Sequence, residues 1–119
     1  MIIILLLSLL FCAFWRKKST VNVRSFLSVR SGAWRRIRNE HLEKNGVCAV
    51  CGSDEKLTVH HIKSFSENPE LELCPENLVT LCENKNLNCH FVFGHKMRWN
   101  NLNRELPETI KYMRKYLED

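Results

Sequence analysis

Cys48-Ala-Val-Cys51-Gly52 places two thiols two residues apart, a spacing that lets one tight turn present both to a metal while the glycine lets the backbone curl around it. Cys82 and Cys89 form a second, wider pair some thirty residues later. Together the four thiolates make the soft, closed, tetrahedral ligand set of a structural zinc ion. A redox pair would need a thioredoxin-like strand and helix around it, and a disulfide framework would need an exported chain. The sequence offers neither. Cys74 precedes Pro75 in an acid-rich loop with no second cysteine at knuckle spacing, so it is expected to be a free thiol. Interleaved with the pairs are Val59-His60-His61-Ile62, Asn77-Leu78 and Cys89-His90, with His95 five residues further on.

This interleaving resembles the HNH endonuclease family, named for a histidine, an asparagine and a second histidine in this order. The resemblance extends over roughly residues 30 to 105. It rests on Trp34-Arg35-Arg36-Ile37-Arg38, Cys48 to Gly52, His60-His61-Ile62, Asn68 to Leu73, Asn77 to Cys82, and Cys89-His90 through Gly94-His95. These look like the zinc-knuckle bacterial and phage branch of the family. Three features depart from it: Ser64-Phe65 where Pro-Phe is frequent, Cys74 where an acid is frequent, and a longer interval between Cys82 and Cys89.

The resemblance implies an α+β fold: a small ββα-metal nuclease domain with a four-cysteine zinc knuckle and flanking helices. It also implies His61 as general base, His60 and His90 as ligands of a catalytic divalent ion, and Asn77 as the residue holding the base-bearing loop. Products would carry 5′-phosphate and 3′-hydroxyl ends. The residue types suit that chemistry. Hydrolysing a phosphodiester requires deprotonating a water, neutralising phosphate charge and stabilising the departing oxygen; an imidazole titrating near pH 6.5 serves the first, and a cation such as Mg²⁺, Mn²⁺, Ni²⁺ or Zn²⁺ the others. An asparagine amide can fix an imidazole or a backbone group without adding charge.

Two geometric problems accompany these roles. Neighbouring side chains on a regular strand point to opposite faces, so His60 and His61 are expected at a strand end, where twist or a bulge re-aims one. Five residues along a regular α-helix is a rotation of about 140°, so His95 joins His90 as a ligand only if Gly94 breaks the helix. Colicin-type relatives do carry a second histidine on this helix, at a four-residue step. The alternative for His95 is a phosphate contact or packing.

The elements that must position these groups follow from pattern. Ser31 can cap a helix through Ala33, Trp34, Ile37 and His41 to Lys44, with Asn45-Gly46 as a left-handed stop. Its other faces carry Arg35, Arg36 and Arg38, which with Lys96 and Arg98 are the candidate nucleic-acid contacts; the alternative is a merely solvated face. Leu57–Ile62 and Asn77–Leu81 read as strands, and 63–76, with Pro69 and Pro75, as a long loop. A helix is expected from about Cys89, and a last helix with Pro107 in its first turn and Ile110, Met113 and Leu117 at helical spacing.

The chain has 119 residues and a formal net charge of +5. Arg16 to Gly46 holds nine basic and two acidic residues, whereas Val47 to Asp119 holds nine and eleven. Such asymmetry favours a polyanionic partner and excludes neither DNA nor RNA. Residues 1–18 form a leader: Met1–Trp15 carries no charge and is followed by Arg16-Lys17-Lys18. It is short of the ~20 residues a spanning helix needs, and its basic cluster is on the wrong side for a secretory signal. It reads as a marginal membrane tether or a mis-assigned start, with everything downstream in the cytosol in either case. Residues 19–30 read as a linker and 31–119 as the nuclease domain. DNA is the expected partner, with no small-molecule cofactor. The competing readings are a non-catalytic, zinc-stapled nucleic-acid-binding module and a membrane-tethered effector.

Overall fold

The computed structural model describes residues 29–118. The leader, Cys12 and most of the 19–30 linker lie outside the described residues. Among those described, no helix is long and apolar enough to cross a membrane.

Two short strands, β1 (Leu57–His61) and β2 (Leu78–Cys82), pair antiparallel in unbroken register from Leu57 opposite Cys82 to His61 opposite Leu78. The β-branched and aliphatic residues favour the extended backbone, and β2 is buried along almost its whole length because both of its faces are covered. Thr80 Oγ1 donates to the Asn45 carbonyl at 2.8 Å on one side, while Leu81 meets Gly94 on the other.

Helix α1 (Trp34–Lys44) lies against both strands, with Trp34, Ile37 and His41 half-buried and Arg35 and Arg36 exposed. The way it is capped at each end differs from the sequence reading. Ser31 is not the cap: its carbonyl and Oγ accept the Trp34 and Ala33 N–H groups at 3.1 and 3.2 Å, making a turn ahead of the helix, and Ala33 takes the cap position without a side-chain bond. No left-handed glycine ends the helix. Instead Asn45 folds back, its backbone N–H and Nδ2 both donating to the His41 carbonyl at 2.8 and 3.1 Å.

Between the strands the chain makes two 3₁₀ turns, Pro69–Leu71 and Pro75–Asn77, each opened by its proline. After β2 comes not an α-helix but a single π-helical turn, His90–Gly94. Helix α2 (Leu106–Glu118) closes the chain, Pro107 in its first turn as expected. Asn103 ties it down: Nδ2 donates to the Phe93 carbonyl at 2.7 Å while Oδ1 accepts the Glu105 N–H at 3.0 Å. The core gathers Cys48, Val50, Leu81, Cys82, Cys89 and Leu106, with Ile110 and Met113 packed on it; Leu117, expected with them, is 55% exposed. The product is a small mixed fold around a two-stranded sheet, with the cysteines at its centre.

Candidate functional site

Cys48, Cys51, Cys82 and Cys89 converge with their sulfurs all within 4.8 Å of one another, and Cys51 Sγ lies 3.6 Å from Cys82 Sγ. Sulfurs about 2.3 Å from one tetrahedral ion would stand about 3.8 Å apart, so the cluster is positioned for zinc. The knuckle turn is shaped for it. Gly52 takes a left-handed φ of 74°, its N–H donates to the Cys48 carbonyl at 2.9 Å, and the Cys48 N–H donates to the Ser53 carbonyl at 2.7 Å. Crowded sulfurs share protons unevenly: hydrogen bonding from Cys89 pulls the Cys48 thiol down to about 4, while the same contact pushes Cys89 up and burial raises Cys51. A cation in their midst relieves that frustration. Cys74 is not the free thiol expected but is disulfide-bonded, and it stands apart from the four-cysteine cluster.

A second cluster joins His60, His90 and His95, their ligand nitrogens also within 4.8 Å of one another. The π turn explains His95. Its bond from the His95 N–H to the His90 carbonyl, 3.1 Å, spans five residues, so the fifth residue returns over the first rather than rotating away as in an α-helix. His90 Nδ1–H donates to the Glu83 carboxylate at 2.8 Å, and His95 Nδ1–H to the Asn101 carbonyl at 3.1 Å. These bonds set the tautomers and leave lone pairs on both Nε2 atoms, which face each other at 3.2 Å. Two nitrogens about 2.0–2.1 Å from one ion would be about 3.3 Å apart. Histidines that bind metal commonly donate the other ring N–H to a carboxylate or carbonyl, as here. Burial first, and then its imidazole neighbours, pulls His60 down to about 3; burial also lowers His90, against the opposing pull of Glu83. Burial thus favours the neutral form of both His60 and His90, the form a metal needs.

His61 ends β1 with no bulge, and the alternation of the strand sends it to the other face. It stacks on Trp34 with ring centroids 4.6 Å apart, and Nε2–H donates to the Glu72 carbonyl at 2.9 Å, leaving its lone pair on Nδ1. Both histidines nonetheless border one cavity of about 220 Å³, together with His90, His95 and Arg30, because the strand ends there. Burial, and then the Arg30 guanidinium, pushes His61 down to about 4.

Asn77 is buried, and its side-chain hydrogen bonds go to the backbone rather than to His61. Its Oδ1 accepts the Lys63 N–H at 2.8 Å, and its Nδ2 donates to the carbonyls of Lys63 and Leu71 at 3.0 and 3.2 Å. It thereby pins the start of the 62–77 loop to its end, and the same loop carries the Glu72 carbonyl on which His61 rests.

Arg30 was missed by sequence reasoning, which placed it in the linker. Its guanidinium sits 4.2 Å from the Phe65 ring centroid and 5.7 Å from that of Trp34, and 3.7 Å from the buried Glu72 carboxylate. That carboxylate also accepts the Ser31 N–H at 3.1 and 3.2 Å. The sequence-predicted arginines lie elsewhere. Arg35 and Arg36 border an open groove on α1 with Asn39, Glu40 and Glu43, Arg36 pairing with Glu40 at 2.8 Å; Arg38 is half-buried, and Lys96 and Arg98 are exposed on the loop after the π turn.

Residues 48–91 match the family model described as HNH endonuclease. The match takes in all four clustered cysteines, His60, His61, Asn77 and His90, and bears out the resemblance read from the sequence. No solved structure matches the chain.

Proposed function

Starting from an HNH endonuclease match over residues 48–91, we propose that the protein is a metal-dependent endonuclease that hydrolyses DNA phosphodiester bonds. The observation that carries this reading is the facing pair of Nε2 lone pairs on His90 and His95, 3.2 Å apart with His60 beside them, opening on the cavity that His61 shares. His60, His90 and His95 would hold one divalent ion, which when bound supplies charge to the phosphate and to the leaving oxygen. Imidazole ligands bring no negative charge to offset it.

His61 is the general base in this reading. Its Nδ1 lone pair takes the proton of the attacking water while the bond to the Glu72 carbonyl and the Trp34 face hold the ring. Arg30 contributes positive charge to the cavity and keeps His61 neutral. Asn77 acts at one remove, as a positioning residue for the loop beneath His61. The four-cysteine cluster would hold a structural zinc. Arg35, Arg36 and Arg38, with Lys96 and Arg98, would meet flanking phosphates without reading sequence.

Incubating the purified chain with supercoiled plasmid and Mg²⁺, Mn²⁺, Ni²⁺ or Zn²⁺ in turn tests the reading. Nicked or linear product dependent on an added ion is expected. A folded protein that binds the plasmid and leaves it intact under every ion would instead be a zinc-stapled binding module.

A further inference from the structure

Trp99 follows the histidine cluster on the loop that carries Lys96 and Arg98, and the catalytic reading gives its indole no role. Its indole lies against His90, His95 and Phe91, with ring centroids 5.3, 5.0 and 4.9 Å apart, yet the residue remains 55% exposed. It is therefore held from one side and open on another. The loop is fixed rather than slack: the Met97 N–H donates to the Phe91 carbonyl at 3.0 Å, Arg98 to His95 at 3.0 Å, and Asn101 to Arg98 at 2.8 Å. Lys96 and Met97, neither of them glycine, take left-handed φ values of 48° and 60° to make the bend. Such conformations are unfavourable for residues with a side chain and persist where the surroundings impose them, often at sites of function. Lys96 and Arg98 precede Trp99 on the same loop and are exposed.

A held, half-exposed aromatic ring on a loop that carries two exposed cations, against the rings that would hold the ion, is the layout of a stacking platform for nucleic acid. Within a paired duplex each base face is covered by its neighbours and only base edges show in the grooves. The indole's open face has a use only for a base that has left the stack. We propose that Trp99 stacks on an unstacked nucleobase beside the scissile phosphate, so that the preferred substrate is a single strand or a duplex carrying an unpaired nucleotide. The inference rests on the nuclease reading and deepens it. Lys96 and Arg98 take the neighbouring phosphates.

The test measures binding of the full chain to three fluorescein-labelled DNAs with phosphorothioate linkages, which suppress cutting: a single strand, the paired duplex, and that duplex with one bulged nucleotide. Trp99→Ala should weaken the single strand and the bulge about 5- to 150-fold, the range for one base–aromatic stack. It should leave the paired duplex and the salt slope unchanged, because stacking releases no counterions. Trp99→Phe should recover most of the loss. The single-strand and bulge arms show which source of the base is preferred. Equal loss on all three DNAs, or none on any, overturns the inference while metal-dependent plasmid cutting by the wild type leaves the nuclease reading standing. A Trp99→Ala chain that also loses Co²⁺ binding, measured without DNA, would make the indole a cover for the ligands and overturn the platform. A wild-type chain that binds none of the three DNAs overturns both readings.

Discussion

The Nε2 atoms of His90 and His95 face each other across 3.2 Å while the Nδ1 atoms of both rings are committed as donors, to Glu83 and to the Asn101 carbonyl. Two lone pairs at that distance repel unless a proton or a metal ion lies between them, and an ion held by both nitrogens would relieve that repulsion. Glu83 adds to the basicity of the His90 ring and fixes its orientation. Glu83→Gln should therefore weaken binding of Co²⁺ or Ni²⁺ at this site about 10- to 100-fold, the usual cost of removing an outer carboxylate partner. His95→Ala should weaken it at least as much. Isothermal titration with the thiolate site kept zinc-loaded checks both, and a His95→Ala protein with unchanged affinity would reduce the site to His60 and His90.

Gly94 keeps this cluster closed. A Cβ at that position would stand 3.3 Å from His60 Cε1 and from Leu81 Cδ1, and 3.4 Å from His90 Cδ2. Gly94→Ala should destabilise the fold by about 1–3 kcal/mol, as overpacking does, and should weaken the histidine metal site more than the cysteine site. Thermal unfolding alongside Co²⁺ titration measures the two effects, and a variant that loses stability with metal affinity intact would show that only Leu81 gives way.

What could be read from the sequence was what short-range chemistry encodes. The Cys48–Cys51 spacing and the alternation in Leu57–His61 each carry their own structural consequence, and the strands fell within a residue of expectation. The π turn could not be read this way. Its five-residue bond goes with Gly94 fitting between Leu81 and two imidazoles, contacts distant in sequence, so the sequence could offer His95 only on the condition that the regular helix fails at Gly94. Arg30 escaped for the same reason, since its setting is made by Phe65 and Glu72, some forty residues on. The helix stop at Asn45-Gly46 was located correctly for the wrong cause, a side-chain amide having replaced a left-handed glycine.

The cysteine cluster occupies the core itself, with Cys48, Cys82 and Cys89 buried beside Leu81 and Leu106. A zinc ion there would be bound by the folded chain alone, and apparent binding energies in small modules reach roughly 10–16 kcal/mol. Cys48→Ser should leave the chain unfolded by circular dichroism. Cys74→Ser should keep one zinc per chain, because Cys74 stands outside the cluster. Elemental analysis of soluble, folded wild type finding less than half a zinc per chain would rule out the assignment.

In the proposed mechanism His61 is the base and not a ligand, because it takes the opposite strand face from His60 and rests on Trp34 and Glu72 rather than among the other imidazoles. His61→Ala should keep the fold, both metals and DNA binding, and lose about 10²- to 10⁴-fold in cleavage rate, the range for one general base. The pH profile carries the same assignment. Burial and Arg30 both disfavour the protonated ring and push His61 down to about 4, so the neutral base persists well below its ordinary 6.5 and is lost only as the pH falls through about 4. The loss below about pH 6 expected of an unperturbed histidine is thereby displaced downward. Arg30→Ala removes one of the two causes, so the acid limb of cleavage should move up toward 6.5 in that variant, whatever the change in maximal rate. A limb that stays in place in Arg30→Ala, or a folded His61→Ala protein cutting plasmid at the wild-type rate, would take the proton-accepting role away from His61.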